Sequence, residues 1–281
     1  MPKMPTRWTQ LLLAALLALA PLSPAWAMQE VPSCAGCGGQ IGPGKYVQDQ
    51  WGANYHTQHA ATIKRCHYCA RGISMANTGG GVRHADGRDV CNICHGTAVT
   101  DNDAAAVAAD RIRGRMEAWG LRFDYGEIPV QLVDQGTLNK QFGRSMGAHE
   151  GTISGLTTKK WMRDRQGTIT SREVSILMLN GLPMEVYEKT IAHELMHAWM
   201  FLDKQPEHSP ALEEGVCNLA AYYVLQENQS KLAGFMRESL YKSPSPTYGQ
   251  GLRRAIRYVQ AHQFPGLVKM LRSSKDFPRG Y

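Results

Sequence analysis

Three groups of residues in this sequence have the types and spacing of metal chemistry. The first is His193-Glu194-Leu195-Met196-His197, an H-E-x-x-H run inside the apolar stretch Ile191 to Trp199, which predicts a helix. One helical turn separates the two histidines, so both imidazoles project from one side and can share a Zn²⁺ ion. Glu194, about 100° round the helix, can reach a water on the metal's open position and act as its base. Five residues of this kind also arise by chance on a solvated helix face, so the rest of the chain has to support them. Support comes from a second apolar helix, Ala211 to Leu225, opened by Pro210. Sixteen residues separate His197 from Glu214, enough for a turn and an antiparallel return. A carboxylate at the start of that helix completes a His₂Glu set with one position left for water.

The second and third groups lie upstream. Six of the seven cysteines form Cys34-x-x-Cys37, Cys66-x-x-Cys69 and Cys91-x-x-Cys94, and His56-x-x-His59 falls between the first two pairs. Four ligand pairs make two tetrahedral zinc sites. The region is rich in Gly and poor in large aliphatics, so metal cross-links would supply much of its stability. Two rival readings compete: disulfides, and c-type haem attachment at Cys91-Asn92-Ile93-Cys94-His95, a C-x-x-C-H pattern. Zinc accounts for all four pairs, whereas haem leaves the other three unexplained.

These residues need elements to hold them. Asp101-Asn102-Asp103 caps an Ala-rich helix that runs toward Trp119, with Gly120 as its stop. Glu127 to Val133 reads as a strand, and Gly143 to Gly155 as a loop carrying His149 and Glu150, a solvated pair or a substrate contact. Arg172 to Asn180 is the best strand, ended by Gly181-Leu182-Pro183 just before the H-E-x-x-H helix. A strand so placed can hold an extended substrate by β-addition, although the run Ile176 to Leu179 also fits burial on both faces. The motif helix breaks near Pro206.

At 281 residues the chain is long enough for two domains. Lys3 and Arg7 precede the apolar run Leu11 to Ala20, and Ala25-Trp26-Ala27 has the small-x-small pattern of a signal peptidase site. The expectation is a signal peptide at 1–27, export to a periplasm or the extracellular space, and no stable membrane insertion, since the run is about half of the ~20 residues a bilayer span requires. Without Lys3 and Arg7, 29 basic residues face 24 acidic ones, a formal charge near +5. The positive residues are scattered and lack an aromatic-interleaved patch, which argues against nucleic-acid binding.

The order of the ligand pairs, with Trp51-Gly-Ala-Asn-Tyr-His56 and Asp86-Gly-Arg-Asp-Val-Cys91, resembles a LIM domain. The resemblance implies that Cys34, Cys37, His56 and His59 hold one structural zinc, and Cys66, Cys69, Cys91 and Cys94 a second. His59 stands where LIM domains usually have Cys, and the step to Cys66 is longer than usual, so His67, His84 and His95 stay open as substitutes. His193-Glu-Leu-Met-His197, Leu212-Glu-Glu-Gly-Val-Cys-Asn218 and Val174 to Pro183, with Tyr248-Gly-Gln-Gly251 and Ser274 to Pro278 near the end, resemble the DA1 family of LIM-containing metallopeptidases. That resemblance covers most of the chain beyond residue 27.

It implies an α+β architecture: a LIM-like double zinc module at 28–100, then a gluzincin-like metallopeptidase domain at 101–281 with an active-site helix pair. The implied cofactors are one catalytic and two structural Zn²⁺, and the implied partners a protein or peptide substrate and a protein bound through the module. By analogy with Glu-ligand zinc peptidases, Glu214 is the third ligand and Glu213 a solvated neighbour. The same analogy lets Asn218 accept a hydrogen bond from the non-metal nitrogen of His193. Tyr222 or Tyr223 can donate to the developing oxyanion or simply pack in the core, and Cys217 reads as a small buried residue. The competing function is a LIM-like interaction scaffold with an inactive peptidase domain.

Overall fold

A computed structural model describes residues 31–42, 44–146 and 153–281, with the backbone alone for 144–146. The expected signal peptide, and His149 with Glu150, lie outside the described residues.

The first part of the chain is built of short pieces. Strands β1 (Tyr46–Gln48) and β2 (Asn54–His56) form an antiparallel hairpin, followed by helix α1 (Thr57–Thr62). Asp49 Oδ1 accepts the N–H groups of Trp51 and Ala53, the side-chain device that closes this hairpin turn. Helix α2 (Met75–Thr78), the hairpin β3 (Gly81–Arg83) and β4 (Asp89–Cys91), and helix α3 (Asn92–His95) repeat the plan. The apolar cluster of the first unit is only Cys34, Ile41 and Tyr55. A cluster that small does not offset the chain entropy of ordering its surroundings, so metal held by the Cys and His pairs would supply needed cross-links there.

Beyond it, β5 (Ala98–Val99) leads into α4 (Asn102–Ala118), whose Asp101 cap accepts from Ala104 N at 2.9 Å. The helix buries Ala105, Ala108, Ala109, Ile112 and Met116. Strand β6 (Val130–Val133), helix α5 (Gln135–Met146), and the strands β7 (Gly155–Arg163) and β8 (Ile169–Leu179) follow. Helix therefore continues to Met146, into the start of the stretch expected to be a loop. The sheet order is β6-β8-β7, with β8 parallel to β6 and antiparallel to β7. Strand β8 is thus the central one, hydrogen-bonded on both sides, and cannot take a substrate strand; among the described residues β7 is the edge nearer the H-E-x-x-H helix.

Strand β9 (Leu182–Pro183) pairs with β5 and runs into α6 (Met184–Leu202). Helix α7 (Pro210–Glu227) returns against α6, its Ser209 cap accepting from Leu212 N. Ser209 also donates through its backbone to Lys275 O and through its hydroxyl to Asp276, so the C-terminal segment fixes the point where α7 begins. Helix α8 (Lys231–Lys242), a π-helical turn at Pro246–Gln250 and α9 (Gly251–Ser273) complete the chain. A Cβ on Gly215 of α7 would stand 2.4 Å from the carbonyl carbon of Gly251, so only glycine lets the π-turn and α9 press onto α7 at this level. The main core is centred on Tyr187, Ile191, Leu195 and Trp199 of α6, with Val216, Leu219 and Val224 of α7. Among the described residues no helix is long and apolar enough to cross a membrane.

Candidate metal centres

Helix α6 sets His193 and His197 one turn apart with their Nε2 atoms 3.2 Å from each other. Glu214, carried in on the antiparallel α7, places Oε2 3.3 Å from His193 Nε2 and Oε1 3.6 Å from His197 Nε2. Donors about 2.0–2.1 Å from a tetrahedral zinc lie roughly 3.3–3.4 Å from one another, so this triangle fits that ion. Cys217 Sγ also stands within 4.8 Å of the donor atoms of both histidines. The carboxylate is the better placed of the two, because both Nε2 atoms converge on it.

The far nitrogens are held too. His193 Nδ1 is 3.0 Å from Asn218 Oδ1, and the amide's Nδ2 donates to Tyr248 O at 3.4 Å. With its N–H on Nδ1, His193 keeps a bare lone pair on Nε2. His197 Nδ1 is 3.1 Å from Glu213 Oε1, and Lys159 Nζ approaches the same oxygen at 3.3 Å. Glu213 is therefore not the solvated neighbour expected: the turn between α6 and α7 brings it onto His197.

The electrostatics describe a site that wants positive charge. The His197 bond and nearby Lys159 hold Glu213 down at about 2, against the opposing effect of burial. Burial also works against the ionised form of Glu214, yet the His193 and His197 bonds keep its carboxyl far below the usual range. His197 is buried, which disfavours its charged form, but Cys217, Glu213 and Glu214 together raise it well above 6.5. Burial pushes the fully enclosed Cys217 thiol up to about 12. Cys217 is buried as expected, and it packs beside the histidines.

Glu194 is 7 % exposed, and Oγ1 of Thr157 on β7 lies 2.7 Å from its Oε2. The two candidate oxyanion donors have aromatic neighbours. Tyr223 packs against Trp119 and Phe264, and Tyr222 against Tyr223 and Tyr241, an aromatic layer that explains both rings as packing. The tyrosine that senses the site is Tyr248 in the π-turn. Burial raises its phenol, and among the charges acting on it are Glu214, His197, Cys217 and Glu194. Sequence reasoning passed over it in this role, although Tyr248-Gly-Gln-Gly251 was visible as a motif.

Upstream, two more clusters form. Cys34 Sγ is 3.4 Å from His59 Nδ1, and Cys37 Sγ is 3.7 Å from His56 Nδ1. Zinc with Zn–S near 2.3 Å and Zn–N near 2.05 Å implies S···N separations of about 3.5 Å. His56 Nε2 faces Gln40 O at 3.2 Å, which leaves Nδ1 free for an ion. Burial opposes ionisation of Cys34, but hydrogen bonds from His59 and from the backbone of His56, Cys37 and Gly36 bring the thiol down to about 6.

Cys66, Cys69, Cys91 and Cys94 gather in a buried cluster, with Cys69 Sγ and Cys91 Sγ 3.7 Å apart, the edge of a tetrahedral ZnS₄ unit. Contacts among these sulfurs pull the Cys66 thiol down and push those of Cys69 and Cys94 up. His67, His84 and His95 stay outside both clusters: His67 packs on Tyr68, and His84 on His95. All seven cysteines are free of disulfides, and Cys91 and Cys94 face the other two sulfurs.

Residues 124–229, which include the β6-β8-β7 sheet, α6 and α7, match the family described as DA1-like, Protein DA1. The Arabidopsis thaliana Protein DA1-related 2 is 26% identical over a 250-residue alignment that covers 69% of this chain and 47% of that protein. LIM domain-containing protein HDR3 of Oryza sativa subsp. japonica is 24% identical over 288 residues, covering 81% and 57%. Protein DA1 of Arabidopsis thaliana is 25% identical over 276 residues, covering 79% and 50%. The chain spans about half the length of the curated relatives it matches. No solved structure matches it. A family match over the helix pair that bears the H-E-x-x-H motif, joined to relatives that align along most of the sequence, makes this chain similar to the DA1-like family.

Proposed function

We propose that this chain is a zinc-dependent endopeptidase of protein substrates. The single observation that carries the reading is the triangle of His193 Nε2, His197 Nε2 and the Glu214 carboxylate, with Glu194 beside it on the same helix. His193, His197 and Glu214 would hold zinc there, and the ion would supply a Lewis acid for the scissile carbonyl and for water. Glu194 is the base: it takes a proton from the attacking water and returns one to the leaving amine. Asn218 and Glu213 fix the rings of His193 and His197. Tyr248, in place of Tyr222 or Tyr223, donates to the oxyanion that develops on the carbonyl. The open edge of β7 accepts the substrate backbone as an added strand, which selects extended polypeptide with loose side-chain preference. The domain division at residues 100 and 101, and export, belong to the same reading.

A second reading is favoured by exposed apolar side chains on the zinc knuckles, where Met75 is 81% exposed and Tyr46 and Val47 stand out from β1. In it the LIM-like module binds a protein partner and the helix pair is an inert scaffold. One experiment separates the two: zinc-loaded protein is incubated with proteome-derived polypeptide and the new termini are mapped. Cleavage that stops with a chelator and returns with zinc supports the endopeptidase. Full zinc content, about three ions for the three clusters, with no new termini supports the scaffold.

A further inference from the structure

Glu194 lies where the first residues of β7 cross α6. Its carboxylate is buried, and a buried charge requires a hydrogen-bond partner to be tolerated. Among the described residues the only side chain that hydrogen-bonds it is Thr157, whose Oγ1 stands 2.7 Å from Glu194 Oε2 and 2.9 Å from Glu194 O. A hydroxyl has one proton, so only one of these contacts can be the donated bond at a time. The carbonyl of a residue in mid-helix already accepts from the N–H four residues on, and a bond to a carboxylate is the stronger of the two. The Thr157 proton therefore goes to Oε2. Among the described residues that leaves Oε1 as the oxygen without a hydrogen-bond donor.

Gly155, two residues earlier on the same face of the strand, makes this approach possible. A Cβ at that position would lie 2.7 Å from Thr190 Cγ2, 2.9 Å from Glu194 Cγ and 3.0 Å from Oε1. Any side chain there would push the carboxylate aside. With glycine, the strand backbone comes close enough for Thr157 to reach Oε2 without displacing the carboxylate.

We infer that Thr157 is a positioning residue for the general base: its hydroxyl occupies Oε2 of Glu194 and so presents Oε1 to the attacking water, on a strand that Gly155 allows to pack against the helix. The inference rests on the endopeptidase reading. It adds a coupling to it, because the strand that offers its outer edge to the substrate also sets the base from its inner face. Substrate and base then share one register.

The test compares wild type with Thr157→Val, which removes the hydroxyl and keeps the shape, and Thr157→Ser, which keeps the hydroxyl. In the zinc-loaded proteins Thr157→Val is expected to lower kcat by about 10- to 100-fold with KM and zinc content unchanged, and Thr157→Ser to recover most of that loss. Equal losses in the two variants mean that the residue only ties strand to helix, and a wild-type kcat in Thr157→Val overturns the inference outright. Crystal structures of the same zinc-loaded proteins read the positioning without any turnover. The Glu194 carboxylate should leave its place in Thr157→Val and keep it in Thr157→Ser; an unmoved carboxylate in Thr157→Val defeats the inference whether or not the protein cleaves anything. An inactive wild type whose Glu194 nonetheless responds to Thr157→Val would defeat the endopeptidase reading and leave the positioning intact.

Discussion

The imidazoles of His193 and His197 differ in what stands behind them: a neutral amide at Asn218 and a carboxylate at Glu213. The carboxylate raises the basicity of the ring it touches, so the two nitrogen donors facing Glu214 are not equivalent. Tyr248 is tied to this site through its backbone, whose carbonyl accepts from Asn218 Nδ2 at 3.4 Å. If it donates to the oxyanion, Tyr248→Phe should cut kcat by roughly 10²- to 10³-fold with zinc content and KM retained, whereas Tyr222→Phe should match wild type in the same steady-state assay. At this scale, legibility followed the range of the contact. His193, Glu194 and His197 depend on one helical turn, and the C-x-x-C knuckles on two residues of spacing, so local sequence was enough to group them. Glu213, Thr157 and Tyr248 reach the site through a turn, a strand crossing and a π-turn thirty residues beyond Asn218. No periodicity along the chain encodes those approaches.

The helix pair depends on how α6 ends. Asp203 caps it and accepts from Arg272 through both oxygens at 2.8 Å, from Tyr125 at 2.8 Å and from Gln205 at 3.1 Å, so α9 and the segment after α4 are tied to the same carboxylate. Burial of this carboxyl opposes its charge, and the Arg272, Gln205 and Tyr125 bonds reverse the balance and lower it. A carboxyl lowered in the folded state contributes stability that is present above its unfolded value, about 3.9, and is lost as pH falls through the folded one. Asp203→Ala should cost roughly 1–2 kcal/mol near pH 7, a figure already reduced for the half-exposed Arg272. Urea unfolding of both proteins should show that gap narrowing below about pH 4, and a gap that does not depend on pH would remove the charge from the explanation. Among the elements, α4, α6 and α7 were readable from caps and apolar periodicity. The choice between β7 and β8 as the free edge was not, because it is set by β6 pairing in parallel across a helix, a contact between distant segments.

Across the molecule the two N-terminal Cys/His clusters are unequally joined to the rest. The sulfurs of Cys66, Cys69, Cys91 and Cys94 belong to the same core as α6, and Arg88 reaches from that knuckle to Asn180 O at 3.1 Å, just before β9. The backbone bonds Gly181 N to Val99 O and Met184 N to Thr97 O continue the seam to the start of α6. The first knuckle has its own small cluster, and its links to the second include Trp51 Nε1 to Cys69 O. Cys69→Ser should therefore release one zinc and lower the main thermal transition by about 10 °C or more, while Cys37→Ser should release one zinc and leave that transition within a few degrees; equal shifts would contradict the unequal coupling. The central claim, that the helix pair is a working hydrolytic centre, meets its most direct test in Glu194→Gln. A catalytic base at this position predicts a folded protein with full zinc content and no cleavage of polypeptides that the wild type cuts. Wild-type turnover in Glu194→Gln would contradict it.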